Sequence, residues 1–185
     1  MKQTETKKRV NVRAITWIAM LAAAAFALQL LAAFLPKVGG FLDLEISDLP
    51  AIVGTMALGP AAGIVIELIK NLLHCTVTTT GFVGEFANFV MNGTFMLVTG
   101  LIYKRNKTKK GAVWALVWGV VSLAVMGVVA NMLIMLPLYM PTSPFDVKLV
   151  LALSTILPFN LVRGAVLSLI TLLIYKKLSP IIKGK

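Results

Sequence analysis

Long apolar segments divide this chain and leave it few ways to fold. A helix needs about 20 apolar residues to cross the hydrocarbon core of a bilayer, and several segments approach or exceed that length. The chain has 185 residues, 58% of them hydrophobic, and a mean hydropathy of +0.90. Because lipid offers the backbone no hydrogen bonds, such segments span a membrane as helices. The sequence predicts an all-α integral membrane protein with one domain over residues 1–185 and helices at about 14–35, 48–58, 60–73, 83–103, 112–138 and 149–175.

Basic residues mark the ends of the predicted helices. Of the 18 lysines and arginines, 14 lie before the first apolar segment, in one short loop or after the last segment. Flanking basic residues favour the cytoplasmic side, so the N-terminus, the C-terminus and this loop are predicted to be cytoplasmic. The net charge of +11 therefore indicates orientation in the lipid bilayer and not nucleic-acid binding. The three groups are Lys2, Lys7, Lys8, Arg9 and Arg13; Lys104, Arg105, Lys107, Lys109 and Lys110; and Lys176, Lys177, Lys183 and Lys185.

Segments 48–58 and 60–73 decide how often the chain crosses the membrane. A helix of 11 residues is only about 16 Å long, so the two segments form either one span kinked at Gly59-Pro60 or a hairpin that turns there. One span gives five crossings and separates the basic groups, whereas two spans give six transmembrane helices and keep all three groups inside. The positive-inside rule favours six, in a multi-pass protein of the cell membrane. The short second helix then needs support from residues 41–47, from burial against its neighbours or from local thinning of the bilayer.

Polar residues within the apolar segments gather toward one side of the membrane. In the six-helix topology the amides and charges lie in the outer halves of the helices, and the inner halves carry only Ser, Thr and Trp as polar groups. Asn160 and Arg163 share one helical face, as do Glu85, Asn88 and Asn92. An ionisable group at membrane depth costs about 2.5–3.5 kcal/mol, so it is expected to have a partner or a function. The pattern predicts a polar pocket that opens to the outside.

The charged residues of this set also have structural interpretations. Glu67 and Lys70 are spaced as an ion pair within one helix. Arg163 is predicted to donate to a ligand, and the alternative is that it neutralises Glu67 or Glu85. His74 borders a loop and is expected to be solvated.

The asparagine side chains can likewise be structural or contact a ligand. Asn88 and Asn92 either bond neighbouring helices or face the pocket. Asn131 has fewer local partners, which favours a contact with a ligand. Pro158 is expected to kink its helix beside Asn160.

The chain lacks the residues that an intramembrane enzyme would need. With one cysteine and one histidine it cannot form a cysteine metal cluster or a zinc site. His74 is peripheral in the predicted topology, which argues against a Ser–His pair inside the membrane. We therefore predict no catalytic residue and no metal site.

Small residues line one strip of the first helix. Ala19, Ala23 and Ala27 recur every four residues, a spacing that lets another helix approach closely. The strip either packs inside this protein or forms a docking face for a separate membrane subunit.

The chain contains five blocks in a fixed order: FLDLEISDLP at 41–50, LGPAAG at 58–63, ELIKNLL at 67–73, GEFANF at 84–89 and PFNLVRG at 158–164. They resemble the substrate-binding S components of energy-coupling factor transporters, and most closely the riboflavin-specific type. The resemblance covers nearly the whole chain, and the alanine strip matches the face by which S components contact their shared transmembrane subunit. One departure is Arg163, where the pattern Pro-Phe-Asn-x-x-Lys-Gly has a lysine.

The resemblance implies six helices, an outward-opening vitamin pocket and no ATPase in this chain. Riboflavin is the implied transported ligand, with a different vitamin or a flavin analogue as the alternative, and no cofactor is implied. Energy is expected from one transmembrane subunit and two ATP-binding subunits, since the chain has no Gly-x-x-x-x-Gly-Lys-Ser/Thr loop. The expected ligand-binding residues are Leu42, Leu44, Glu45, Ser47, Asn88, Asn131, Asn160 and Arg163, and the expected docking residues are Ala19, Ala23 and Ala27.

Overall fold

The structure is a computed structural model that describes residues 12–32, 37–38, 42–43, 46–78 and 82–183. Within these ranges the chain forms helices joined by turns and one antiparallel ladder of two short strands, which pairs Lys37 with Asp43 and Val38 with Leu42. The elements are α1 (Val12–Ala32), β1 (Lys37–Val38), β2 (Leu42–Asp43), α2 (Leu49–Leu58), α3 (Pro60–His74), α4 (Val83–Arg105), α5 (Lys109–Ala130), a π segment (Asn131–Met135), α6 (Leu136–Tyr139), α7 (Phe145–Leu151), a second π segment (Ala152–Ile156) and α8 (Leu157–Lys183).

The long helices have the surface of a membrane protein. Large apolar side chains point outward along them, and Leu133, Phe145 and Leu173 are among the most exposed. Such a surface is stable in lipid, where apolar groups need no cover. The prediction of a helical membrane protein is thus confirmed. Four stretches are long and apolar enough to cross a membrane: Val12–Ala32, Val83–Arg105, Lys109–Tyr139 and Phe145–Tyr175.

A sharp turn at Gly59 separates α2 from α3. Gly59 has φ of +108°, a conformation that favours glycine, and Pro60 begins α3, where its missing N–H leaves no intrahelical bond unmade. The two helices then fold back on each other and pack closely. A Cβ atom on Gly54 of α2 would lie only 2.5 Å from Cδ1 of Ile66 on α3. The predicted break is therefore a hairpin and not a kink in one continuous helix.

The short helix α2 is enclosed by protein. Its residues from Pro50 to Met56 are all buried, and it packs against α1, α3, α4 and α8. A helix covered by its neighbours need not match the thickness of the bilayer, because protein rather than lipid surrounds it. Burial against neighbours is thus the means by which α2 is accommodated.

Both π segments occur just upstream of a proline. Asn131–Met135 is followed by Leu136-Pro137, and Ala152–Ile156 is followed by Leu157-Pro158. Proline cannot donate to the carbonyl four residues earlier, so the wider π turn accommodates the backbone at these points. The two segments pack against each other. The distortion expected at Pro158 therefore takes the form of a π segment, and the same arrangement recurs at Pro137.

Candidate functional site

Charged side chains form one buried cluster where α2, α3 and α8 meet. Asp48, the residue before α2, is fully buried, and its Oδ1 accepts a hydrogen bond from Nζ of Lys70 at 2.5 Å. Its Oδ2 accepts a hydrogen bond from Nη2 of Arg163, whose side chain is 6% exposed. Arg163 therefore forms an ion pair with Asp48, a partner that the sequence did not predict.

Lys70 has an acceptor for each of its three N–H donors. Besides Asp48, Oε2 of Glu67 lies 2.8 Å from Nζ and Oδ1 of Asn88 lies 3.2 Å from it. The predicted ion pair between Glu67 and Lys70 is thus present. With Arg163 included, the described part of the cluster holds two acids and two bases, whose formal charges cancel. Such balance matters because a buried charge without compensation is far costlier than a neutral set.

The polar face of α4 turns inward, as predicted. Nδ2 of Asn92 donates to Oδ1 of Asn88 at 3.0 Å, which extends the network from Lys70 to α4. Glu85 is buried, and its Oε1 lies 2.8 Å from Nδ1 of His74. The side chain of His74 is 24% exposed and contacts Glu85, so the histidine is only partly solvated. Asn88 is therefore part of the cluster, and Glu85 instead ties α4 to the end of α3.

Asn131 and Asn160 lie close to Gly127 of α5. Nδ2 of Asn131 donates to the carbonyl of Gly127 at 2.8 Å, and Nδ2 of Asn160 donates to that of Ile156 at 2.9 Å. A Cβ atom on Gly127 would lie 2.6 Å from Nδ2 of Asn160, so the close approach of α8 requires glycine there. Oδ1 of Asn160 is buried and has no hydrogen-bond partner among the described residues. A buried acceptor of this kind suits a ligand N–H or O–H.

The amide pair and the charged cluster adjoin each other. Asn160 and Arg163 are one turn apart on α8, so they share a face. Asn131 opens one π segment and Asn160 follows the other, and π turns frequently occur at functional sites. The structure thus brings an amide acceptor and a guanidinium donor side by side.

The loop before α2 carries the remaining predicted ligand contacts. Leu42 belongs to β2, whereas Leu44 and Glu45 lie outside the described residues. Ser47 is fully buried beside Asp48 in the chain, and its Oγ has no hydrogen-bond partner in the described part. The ligand contacts of Leu42, Leu44, Glu45 and Ser47 stay predictions.

The alanine strip of α1 lies on the outside of the bundle. Ala19, Ala23 and Ala27 are exposed, whereas Ala22 and Ala25 are fully buried and pack into the core. The strip therefore does not pack against the described helices, and the interpretation as internal packing loses its support.

The described residues contain no group of three His, Cys, Asp or Glu side chains that could hold a metal ion. Cys75 is a free thiol just after α3. Burial, and then the charge of Glu85, raise the pKa of this thiol.

Sequence reasoning missed two features of the site. Asp48 was visible as an acid within an apolar stretch, but its position before Leu49-Pro50 is that of an ordinary helix cap. The π segments were signalled only by the Leu-Pro pairs that follow them. Neither signal identifies a partner more than 100 residues away, such as Arg163 for Asp48.

Known proteins resemble this chain over nearly its full length. The family model described as "ECF transporter, substrate-specific component" matches residues 13–175. Riboflavin transporter RibU of Staphylococcus aureus (strain TCH60) is 34% identical over 177 residues, which cover 94% of this chain and 93% of the relative. Riboflavin transporter FmnP of Bacillus subtilis (strain 168) is 31% identical over 179 residues, covering 92% and 94% respectively.

A solved structure shares the fold. It is described as "Structure and mechanism of the S component of a bacterial ECF transporter", where ECF stands for energy-coupling factor. It is similar to this chain with a TM-score of 0.80 at 32% identity, covering 94% of this chain and 99% of that one. The chain therefore belongs to the family of substrate-specific components of ECF transporters, and it is a transport protein rather than an enzyme.

Proposed function

We propose that this protein captures riboflavin from outside the cell as the substrate-binding subunit of an ATP-driven importer. The observation that carries the choice of ligand is the near full-length similarity to relatives named riboflavin transporters, at 34% and 31% identity. The polar groups around Asn131, Asn160 and Arg163 supply a suitable site.

The chemistry of the site suits a flavin. An isoalloxazine ring is flat, with apolar area and a pyrimidine edge that carries both N–H donors and carbonyl acceptors. The buried Oδ1 of Asn160 can accept from such a donor, and the guanidinium of Arg163 can donate to a ring acceptor. A guanidinium has five N–H donors, so pairing with Asp48 and donating to a ligand are compatible. Few placed polar groups among apolar walls are typical of ligand pockets.

The substitution Asn131→Leu tests this pocket. It keeps an apolar surface of similar size but removes the amide, so the polar edge of the ligand loses a partner and binding should weaken by about 1–3 kcal/mol. Quenching of riboflavin fluorescence during titration of the purified protein measures the affinity. Asn106→Leu makes the same chemical change on the exposed loop after α4 and should bind like the wild type. Unchanged affinity in Asn131→Leu would contradict the proposed pocket, and tighter binding of another vitamin than of riboflavin would favour the alternative ligand.

The proposed orientation has six crossings, with both termini and the loop after α4 in the cytoplasm and the protein in the cell membrane. It is supported by the basic residues of that loop and by the α2–α3 hairpin, which returns the chain to the outer side. In a Cys75→Ser background, single cysteines at Lys107 and Thr142 give matched reporters, since both residues are exposed. An impermeant thiol reagent applied to whole cells should label the cysteine at 142 and spare the one at 107. The reverse pattern would contradict this orientation.

The alanine strip is proposed as the docking face for a transmembrane partner subunit, which in turn joins two ATP-binding subunits. Its support is the exposure of Ala19, Ala23 and Ala27 at a spacing that permits close helix contact. Ala23→Trp should abolish co-purification of the partner and energised uptake, because an indole keeps the helices apart. Riboflavin affinity should stay within about threefold of the wild type, since the strip faces away from the pocket.

The matched control is Val117→Trp, on the exposed face of α5 between Trp114 and Trp118. It should leave transport intact. Normal uptake by Ala23→Trp would show that the partner docks elsewhere.

A further inference from the structure

Asp48 connects three helices at the candidate site without being a predicted ligand contact. It lies directly before α2, bonds Lys70 of α3 through one carboxylate oxygen and bonds Arg163 of α8 through the other. Its side chain has no exposed surface. Both oxygens are therefore committed to cations that belong to different helices.

Asp48 lies at the position of a helix cap but does not cap its helix. An aspartate just before a helix commonly accepts hydrogen bonds from the first backbone N–H groups. Asp48 occupies the N-cap position of α2, yet its side chain makes no capping hydrogen bond. The helix instead begins with Pro50 near its start, which has no N–H to satisfy. The carboxylate thus faces Lys70 and Arg163 rather than the end of its own helix.

Arg163 is the member of this cluster that needs a fixed neighbour. The planar fork of an arginine side chain must be oriented before it can donate to a ligand. A carboxylate held by a second cation provides such an orientation, because Lys70 fixes Asp48 while Asp48 binds Arg163. Lys70 is itself held by Glu67 and Asn88.

We propose that Asp48 is a positioning residue for ligand binding, whose carboxylate holds the guanidinium of Arg163 in the orientation that donates to the ligand. This role rests on the proposed function, because it acts through the contact between Arg163 and riboflavin. Asp48 itself does not contact the ligand. Replacing Asp48 should therefore weaken riboflavin binding only while Arg163 is present.

A double-mutant cycle on the full-length purified protein tests this dependence. Asp48→Asn keeps the size of the side chain but removes its charge, and it should weaken riboflavin binding roughly tenfold, as for a lost charge-assisted hydrogen bond. Arg163→Leu should weaken binding at least as much. The double variant Asp48→Asn/Arg163→Leu should bind within about threefold of Arg163→Leu alone, because two residues that act as a unit are not additive.

Asn131→Leu is the matched control for additivity. The fold losses of riboflavin affinity from Asn131→Leu and Asp48→Asn should multiply in the double variant, since Asn131 does not act through Arg163. The positioning role is wrong if Asp48→Asn still weakens riboflavin binding roughly tenfold when Arg163→Leu is also present. It is also wrong if Asp48→Asn alone leaves the riboflavin affinity unchanged.

A second variant covers the case in which Asp48→Asn does not fold. Asp48→Asn/Lys70→Met removes one charge of each sign, so the net charge of the cluster is unchanged while Arg163 loses the Asp48 carboxylate. We expect this variant to be folded and to bind riboflavin roughly tenfold more weakly than the wild type. Wild-type affinity in it would overturn the proposal, because charge balance alone would then explain Asp48. Failure of the wild type itself to bind riboflavin would contradict the proposed function, which is a distinguishable result.

Discussion

The substitution Lys70→Met is expected to destabilise the protein by about 3–5 kcal/mol, because it leaves two buried acids without their shared cation. Asp48 and Glu67 both contact Nζ of Lys70, at 2.5 and 2.8 Å, and all three side chains are fully buried. Methionine fills a similar volume but offers no N–H donor. A lower thermal midpoint of the detergent-purified protein, followed by tryptophan fluorescence, should report the loss.

The control for this prediction is Lys104→Met at the end of α4. Lys104 is exposed, and surface charges contribute little to stability, so this variant should melt like the wild type. Equal midpoints for Lys70→Met and the wild type would show that the buried cluster does not stabilise the fold.

Gly127→Ala is expected to weaken riboflavin binding by roughly tenfold or more while the protein still folds. The new Cβ would lie 2.6 Å from Nδ2 and 3.2 Å from Cγ of Asn160, so this amide must move. Moving it breaks the hydrogen bond to Ile156 and redirects the Oδ1 that we assign to the ligand. Loss of one well-placed hydrogen bond in a buried site corresponds to about that change in affinity.

Gly93→Ala is the matched control within α4. A Cβ atom there would meet only Cε2 of Phe89 at 3.8 Å, which is an ordinary contact. It should keep wild-type affinity when measured by the same fluorescence titration. If both glycine variants bind riboflavin equally well, the position of Asn160 does not govern binding.

The sequence predicted the structural features that depend on residues close together in the chain. Hydropathy located the long helices, Gly59-Pro60 located the hairpin, and the spacing of Glu67 and Lys70 predicted their ion pair. Each of these depends on residues that are close in the chain, so periodicity and turn chemistry suffice to find them.

The contacts that join helices could not be found in that way. Arg163 and Asp48 are 115 residues apart, and the two acids that the sequence offered for this arginine were Glu67 and Glu85. Asp48 directly precedes a helix, where aspartate commonly acts as a cap, so its place in the chain does not point to a distant partner. The packing of α2 against α8 brings the Asp48 carboxylate to Nη2 of Arg163.

The neighbourhood of Asn131 and Asn160 shows the same limit. Both were predicted as ligand contacts, and the spacing of Asn160 and Arg163 placed those two on one face. That Gly127 allows α8 to approach α5 depends on tertiary packing, which no single helix encodes. The π segments beside the two amides lie next to prolines. Because a proline in a helix can cause a kink or a π turn, the sequence did not predict which of these would form.

The most direct test of this account is the identity of the small molecule that stays with the protein through gentle purification from cells supplied with riboflavin. Mass spectrometry and the absorption spectrum of the released ligand should show riboflavin, close to one molecule per protein chain, and the Asn131→Leu variant should retain much less. A different vitamin at that stoichiometry, or no flavin in wild-type protein that remains folded, would contradict the assignment of this pocket to riboflavin.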